Sequence, residues 1–269
     1  MLQASVDLEG VSEFRILFDS TSVRYITIDP GLYSVQEMCF GPSLIALLPP
    51  LPPGRWNQAR VRRDPTSGRV GFTDVLDTPL PEIGSLWHPV RIDHLDLQYG
   101  RKLRSNVYEA TSDRFASAVV AKFARFPWEV PQLDAETMIY ERIEGLQIGP
   151  RFLGHLTEEG RTIGFVMAFV IGCRHATLDD LDICQTALVR LHRLGIKHGD
   201  INKHNFLIHQ GTATLIDFDN ASENTPPGDL DDELHRLQES LSDSSGRGGR
   251  WVEVATGTSE SLRDHLGHA

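Results

Sequence analysis

Cysteine is nearly absent. Cys39, Cys173 and Cys184 are the only three, they stand far apart, and no C-x-x-C pair occurs. That excludes a disulfide framework and a cysteine-built zinc site. Long apolar runs are missing too, since no stretch reaches the ~20 residues needed to span a bilayer. The opening M-L-Q-A-S-V-D-L-E-G joins no basic stretch to an apolar one, as a secretory signal would. A cytoplasmic location without a membrane span is the expectation. Positive charge is also short: 26 Lys and Arg stand against 37 Asp and Glu, a net charge of -11. Nucleic acid is therefore not an expected partner, because a phosphate backbone demands clustered cations. What is present is a 40% hydrophobic, 23% charged chain of 269 residues, enough for a substantial core in one large or two small domains.

Residues 1–90 contain no catalytic pattern and read as a β-rich extension. Residues 14–18 and 23–28 alternate as half-buried strands around the polar 19–22. Pro49-Pro50-Leu51-Pro52-Pro53-Gly54 excludes helix and central strand, and predicts an extended connector. Further strands are expected at 97–102, 106–111, 118–123, 151–156 and 162–170. A helix is expected from about 133 to 145, anchored by Met138, Ile139 and Ile143. Thr177 with Asp180 three residues on is a capping-box-like start. Leu181, Cys184, Leu188 and Leu191 follow at helical spacing up to Gly195. Residues 206–208 and 213–216 form a short hairpin across Gln210-Gly211. Leu230, Leu234, Leu237 and Leu241 mark one last helix, and residues 244–269 read as a flexible tail.

Five functional groups follow one another in the second part of the chain. Lys122 ends V-V-A-K, and Glu136 lies in A-E-T-M-I-Y. Asp200 and Asn205 share H-G-D-I-N-K-H-N, and Asp217 opens D-F-D. Phosphoryl transfer from ATP uses these parts. A lysine neutralises the nucleotide phosphates, and a glutamate on a helix holds it. One aspartate takes up or orients the proton of the attacking hydroxyl, while an asparagine and a second aspartate hold Mg²⁺. Lys122 sits in an apolar strand, where an unpaired charge is costly. Glu136 is the preferred partner; Glu141 reads as surface.

In these motifs the chain resembles the protein-kinase-like superfamily over roughly residues 92–241. In style it is similar to the aminoglycoside-phosphotransferase branch and to small atypical kinases, including RIO-type and Kdo-kinase-like enzymes. It also resembles a group of uncharacterised fungal kinase-like proteins. The resemblance implies an α+β, two-lobed protein-kinase-like fold with a minimal C-lobe. The kinase-like domain would span 91–243, with an N-lobe at about 91–170 and a C-lobe at about 173–243, behind the β-rich N-terminal extension. It implies ATP and Mg²⁺ as cofactors. Asp200, Lys122 and Glu136 would be catalytic, and Asn205 and Asp217 would hold metal. Backbone groups at Ala168 and Val170 would pair with adenine, with Met167 at the back of the pocket. His198 would brace its loop, and Asp219 is a second candidate metal ligand or a turn cap.

Departures from the family pattern are also legible. Aligning Val107-Tyr108-Glu109-Ala110 with the family's V-Y-x-A places Gly100, Lys102 and Ser105 at the three phosphate-loop glycines, and only Gly100 is kept. Arg101, Lys102 and Arg104 offer charge instead. Gly199 stands where regulated kinases keep an arginine that reads a phosphorylated loop. No A-P-E follows D-F-D, and only about fifty residues remain after it. The expected activity is therefore an ATP- and Mg²⁺-dependent phosphotransferase acting on an alcohol group, with a small-molecule acceptor favoured. A minimal atypical Ser/Thr protein kinase is the alternative. A nucleotide-binding pseudokinase or scaffold is the other, since lost glycines fit a dead enzyme.

Overall fold

The computed structural model describes residues 1–243 and 245; the expected tail at 244–269 otherwise lies outside them. The architecture is mixed α and β, in three sheets. The first sheet has the order β1-β2-β3-β4-β5, from β1 (Gln3–Ser5), β2 (Ser12–Phe18), β3 (Ser22–Ile28), β4 (Gln58–Arg63) and β5 (Val70–Leu76). β3 and β4 run parallel, so a tight hairpin cannot join them and a crossover is required. Two helices absent from the sequence reading provide it, α1 (Val35–Cys39) and α2 (Gly41–Leu47). They bury Met38 and Leu44 against Phe14, Ile16, Ile26, Ile28 and Trp56. The proline run after α2 has no regular structure and leads into β4. Trp56 Nε1 ties it down by donating to Pro52 O at 3.1 Å.

The second sheet has the order β6-β10-β11-β9-β8-β7. Its strands are β6 (Arg91–Asp93), β7 (Gln98–Arg104), β8 (Val107–Thr111), β9 (Val119–Phe123), β10 (Phe152–Glu158) and β11 (Arg161–Ala168). β9 is buried on both faces, which is why it reads as a continuous apolar run. Val119, Ala121 and Phe123 pack with Ile92, Leu156, Ile163 and Val166. Val120 belongs to the opposite core, which reaches through α3 (Val130–Arg142) into the helical part of the molecule. α3 starts and stops about three residues earlier than expected. Leu133, Ile139, Tyr140 and Ile143 are its buried anchors, whereas Met138 is exposed.

An ionic joint fastens the first sheet to the second. Arg15 on β2 reads as the polar face of a half-buried strand, yet it is 2% exposed. Its Nε donates to Glu158 Oε2 at 2.7 Å. Tyr25 OH and Arg161 Nη2 donate to the other carboxylate oxygen at 2.9 and 2.6 Å. Burial pushes the Glu158 carboxyl up, but Arg15 and Arg161 outweigh it and hold it below the usual range. Removing Arg15 or Glu158 would strand the buried charge of the other.

The remaining elements are β12 (Arg174–His175), β13 (Phe206–His209), β14 (Thr212–Leu215), α4 (Leu181–His192), α5 (Pro227–His235) and α6 (Leu237–Ser242). The Thr177–Asp180 capping box is present, on a 3₁₀ turn leading into α4. The single last helix of the sequence reading is two, interrupted at Arg236, where ψ opens to -8°. Leu230, Leu237 and Leu241 are nevertheless all buried, with α5 and α6 packed on α4.

Candidate active site

Between the second sheet and the β13–β14 hairpin lies a cleft of about 860 Å³, within the range of small-molecule and cofactor sites. Its walls are largely apolar. Leu103, Val107, Val120 and Met167 come from the sheet, Leu207 and Ile216 from the hairpin side, and Phe169 and Val170 from the connection between them. One end is charged, with Arg104, Lys122, Glu136 and Asp217.

Lys122 is held there by its strand. Alternation along β9 sends it to the face that α3 covers, opposite Phe123. Its Nζ lies 2.6 Å from Glu136 Oε2 and 2.5 Å from Asp217 Oδ1. Burial lowers the lysine's pKa, but Glu136 and Asp217 overcome this and raise it, so the ammonium stays charged. Glu136 is fully buried. Burial pushes its carboxyl up, to about 7, against the pull of Lys122. Its other oxygen accepts from Phe218 N–H at 3.3 Å, linking α3 to the D-F-D turn. Glu141, the rival partner, is exposed.

Asp217 adopts the left-handed region, φ 69° and ψ 62°. That conformation costs about 1–2 kcal/mol for a residue with a side chain. Phe218 anchors the turn: it is fully buried, with ring centroids 5.4 Å from Tyr140 and 5.3 Å from His198. Asp219 accepts from Gln132 at 2.8 Å and from Asn220 at 2.9 Å. Its φ is not positive, so the family's glycine is not needed here.

The H-G-D loop is organised by groups that have no other freedom. Buried His198 lets Nδ1 accept from Asp200 N–H at 3.3 Å, so Nε2–H donates to Ile216 O at 3.1 Å. Both ring nitrogens are taken, and burial lowers its pKa, so it positions and does not exchange protons. Asp200 Oδ2 accepts from Asn202 Nδ2 at 2.9 Å and from Asn205 Nδ2 at 3.0 Å. Asp200 Oδ1 has no hydrogen-bond partner among the described residues. Asp200 also lines a second, polar cavity of about 410 Å³, with Lys197, Asn202, Asn220, Ser222 and Arg236. The sequence reading missed Glu233, from α5. It is 2% exposed. Its carboxylate accepts from His198 N at 3.0 Å, Gly199 N at 2.7 Å and His192 Nε2 at 2.8 Å.

Several expected residues sit elsewhere. Gly100, Lys102 and Ser105 do not line the cleft; Arg101, Leu103 and Arg104 do. Lys102 points away, its Nζ 5.8 Å from the Tyr108 ring centre. The reason is the hairpin. β7 and β8 meet in a tight turn at Ser105-Asn106, with Lys102 opposite Tyr108 and Arg104 opposite Val107, so no glycine-rich loop arches over the site. Met167 does line the cleft, and its sulfur accepts from Tyr140 OH at 3.1 Å. Ala168 N–H donates to Arg151 O at 2.8 Å, which leaves Val170 as the N–H donor of that pair. Lys203 lines neither cavity, and its Nζ donates to Asp243 O at 2.8 Å.

Residues 176–257 match the family described as the lipopolysaccharide kinase (Kdo/WaaP) family. That segment is protein-kinase-like. It contains Asp200, Asn205 and Asp217, while Lys122 and Glu136 lie before it. None of the curated proteins matches the chain.

Whether Asn205 and Asp217 fit Mg²⁺ can be judged from what stands between them. The Arg104 guanidinium ion-pairs with Asp217 Oδ2, and its Nη2 donates to Asn205 Oδ1 at 2.9 Å. A positive group thus already sits where the two oxygens converge. A carboxylate and an amide oxygen are the hard donors Mg²⁺ takes, with water and phosphate oxygens completing its shell. Among the described residues no group of three or more His, Cys, Asp or Glu could hold a metal alone.

Proposed function

We propose that this chain is an ATP- and Mg²⁺-dependent phosphotransferase acting on the hydroxyl of a small molecule, with a two-lobed protein-kinase-like architecture. One observation carries the reading: Lys122, Glu136 and Asp217 form one ion-paired cluster that adjoins Asn205 and Asp200 through Arg104 and the H-G-D loop. The adenine would lie between Leu103, Val107 and Val120 on one side and Leu207 and Ile216 on the other, with Val170 N–H as a donor. Lys122 would bind phosphate oxygens as a fixed charge, held by Glu136. Asn205 and Asp217 would hold Mg²⁺, which when bound supplies charge neutralisation on the phosphoryl group being transferred.

Asp200 would receive the acceptor. Asn202 and Asn205 fix its Oδ2, leaving Oδ1 to take the hydroxyl proton as that oxygen bonds to the γ-phosphorus and the bond to ADP breaks. The polar cavity beside Asp200, about 410 Å³, favours a compact polar acceptor over an extended peptide. One observation favours a second reading, nucleotide binding without turnover: no glycine loop covers the phosphates. Incubation with γ-labelled ATP, Mg²⁺ and a panel of hydroxyl compounds and cell extract separates the two. Label should pass to a hydroxyl compound with the wild type and not with Asp200→Asn. ATP binding with no label transferred to any compound or to water would favour the second reading.

A further inference from the structure

Arg104 is the last residue of β7, beside the tight turn at Ser105-Asn106. Its two terminal nitrogens take two different acceptors, Asp217 Oδ2 and Asn205 Oδ1. Asp217 Oδ1 is held by Lys122 at 2.5 Å. Both oxygens of the aspartate and the amide oxygen of the asparagine are therefore engaged by cations of the chain itself. A divalent ion cannot reach Asp217 Oδ2 and Asn205 Oδ1 together unless Arg104 leaves. Leaving is feasible. The Arg104 side chain is 21% exposed and that of Asp217 16%, so the guanidinium can swing toward solvent while Leu103 and Val107 keep the hairpin packed. A guanidinium released there finds an equivalent partner in phosphate, which it binds in the same forked geometry as carboxylate.

We propose that Arg104 is a resident cation of this site: it fills the divalent-ion position in the nucleotide-free protein and exchanges it for nucleotide phosphate when metal and nucleotide arrive together. This deepens the phosphotransferase reading and rests on it. The same side chain then does two jobs. Without nucleotide it neutralises Asp217 and keeps bare divalent ions out. With nucleotide it supplies the positive charge over the phosphates that backbone amides of a glycine loop would otherwise supply. A site whose competent form is a minor fraction binds its ligand weaker by that fraction. Bare metal should therefore bind poorly, and metal with nucleotide well.

Manganese is the probe, because its free-ion paramagnetic resonance signal disappears on binding. The full chain, Arg104→Ala and Arg104→Lys are titrated with Mn²⁺ alone by that signal; with a non-hydrolysable β,γ-imido analogue of ATP, which itself binds Mn²⁺, retention of the Mn²⁺–analogue pair by the protein is read by equilibrium dialysis. Asp217→Asn locates the site by abolishing Mn²⁺ binding in both series. Without nucleotide, Arg104→Ala should bind Mn²⁺ about tenfold or more tighter than the wild type. Arg104→Lys should fall between them, since an ammonium cannot fork across two acceptors. With the analogue the order reverses, and Arg104→Ala should hold the Mn²⁺–analogue pair about tenfold more weakly. Equal Mn²⁺ affinities for wild type and Arg104→Ala without nucleotide would overturn the proposal. If the analogue still binds with Mn²⁺ in that case, the phosphotransferase reading survives. Failure of every protein to bind Mn²⁺ with the analogue would sink both. Unchanged near-ultraviolet circular dichroism in each variant establishes that the fold is intact.

Discussion

Two glycines stand on the two sides of the site, Gly199 in the H-G-D loop and Gly100 in β7, though neither lines the cleft. Gly199, on the H-G-D side, has φ +82°, and a Cβ there would stand 2.1 Å from Asn220 O. Gly100, in the β7 strand, has no left-handed φ, and its nearest neighbour would be Glu109 O at 3.5 Å from the added Cβ. The first is required by the backbone; the second is not. The same contrast holds for function. On the H-G-D and D-F-D side each position demands one group: a carboxylate, an amide, a buried imidazole with both nitrogens occupied. On the β7–β8 side the proposed task is positive charge near phosphates, for which a guanidinium can replace a row of amides.

The largest effect should come from the H-G-D side. Asp200→Asn should lower kcat by roughly 10² to 10⁴ while nucleotide affinity stays within a few-fold, because the proposed role of Asp200 is toward the acceptor and not the nucleotide. Steady-state kinetics beside nucleotide titration checks this; an equally active variant would break the comparison at its strongest point. Glu233→Ala should follow, since it strands the buried amide of His198 and removes the acceptor of the part-buried amide of Gly199. Each unsatisfied buried donor costs about 1–3 kcal/mol, so urea unfolding should show a loss of roughly 2–5 kcal/mol. Gly199→Ala should cost at least about 1–3 kcal/mol in backbone strain alone, with kcat falling as the H-G-D loop shifts. Gly100→Ala is the counterpart on the other side. Its stability should be unchanged or higher by up to about 1 kcal/mol, and nucleotide affinity should not move. A Gly100→Ala variant that loses nucleotide would restore the glycine-loop picture.

The sequence made the charged positions legible. Lys122, Glu136, Asp200, Asn205 and Asp217 carry the groups that the proposed phosphoryl transfer uses, in the order that the resemblance implies. Arg104 was visible only as local charge, because its reach to Asp217 crosses 113 positions of chain. Lys102 was assigned to the site by alignment with a phosphate-loop glycine, whereas the strand register, irregular on both sides of it, sets it over the Tyr108 ring. Glu233 hides among Asp229, Asp231 and Asp232, a pattern that reads as a solvated face. Its burial depends on orphan amides in a loop far away in sequence. Arg15 looked like the polar side of a strand, and only the second sheet packed over it reveals an ionic joint. The crossover helices α1 and α2 bury only Met38 and Leu44, too little periodicity to announce a helix.

The most direct test of the account is equilibrium unfolding with ATP, in the presence and in the absence of Mg²⁺. Binding to the native state alone stabilises by RT ln(1+[L]/Kd), about 2.7 kcal/mol at ~100-fold saturation. The account predicts a stabilisation near that size with ATP and Mg²⁺ together, and a much smaller one when Mg²⁺ is chelated. No stabilisation by any purine nucleotide, with or without Mg²⁺, would contradict it.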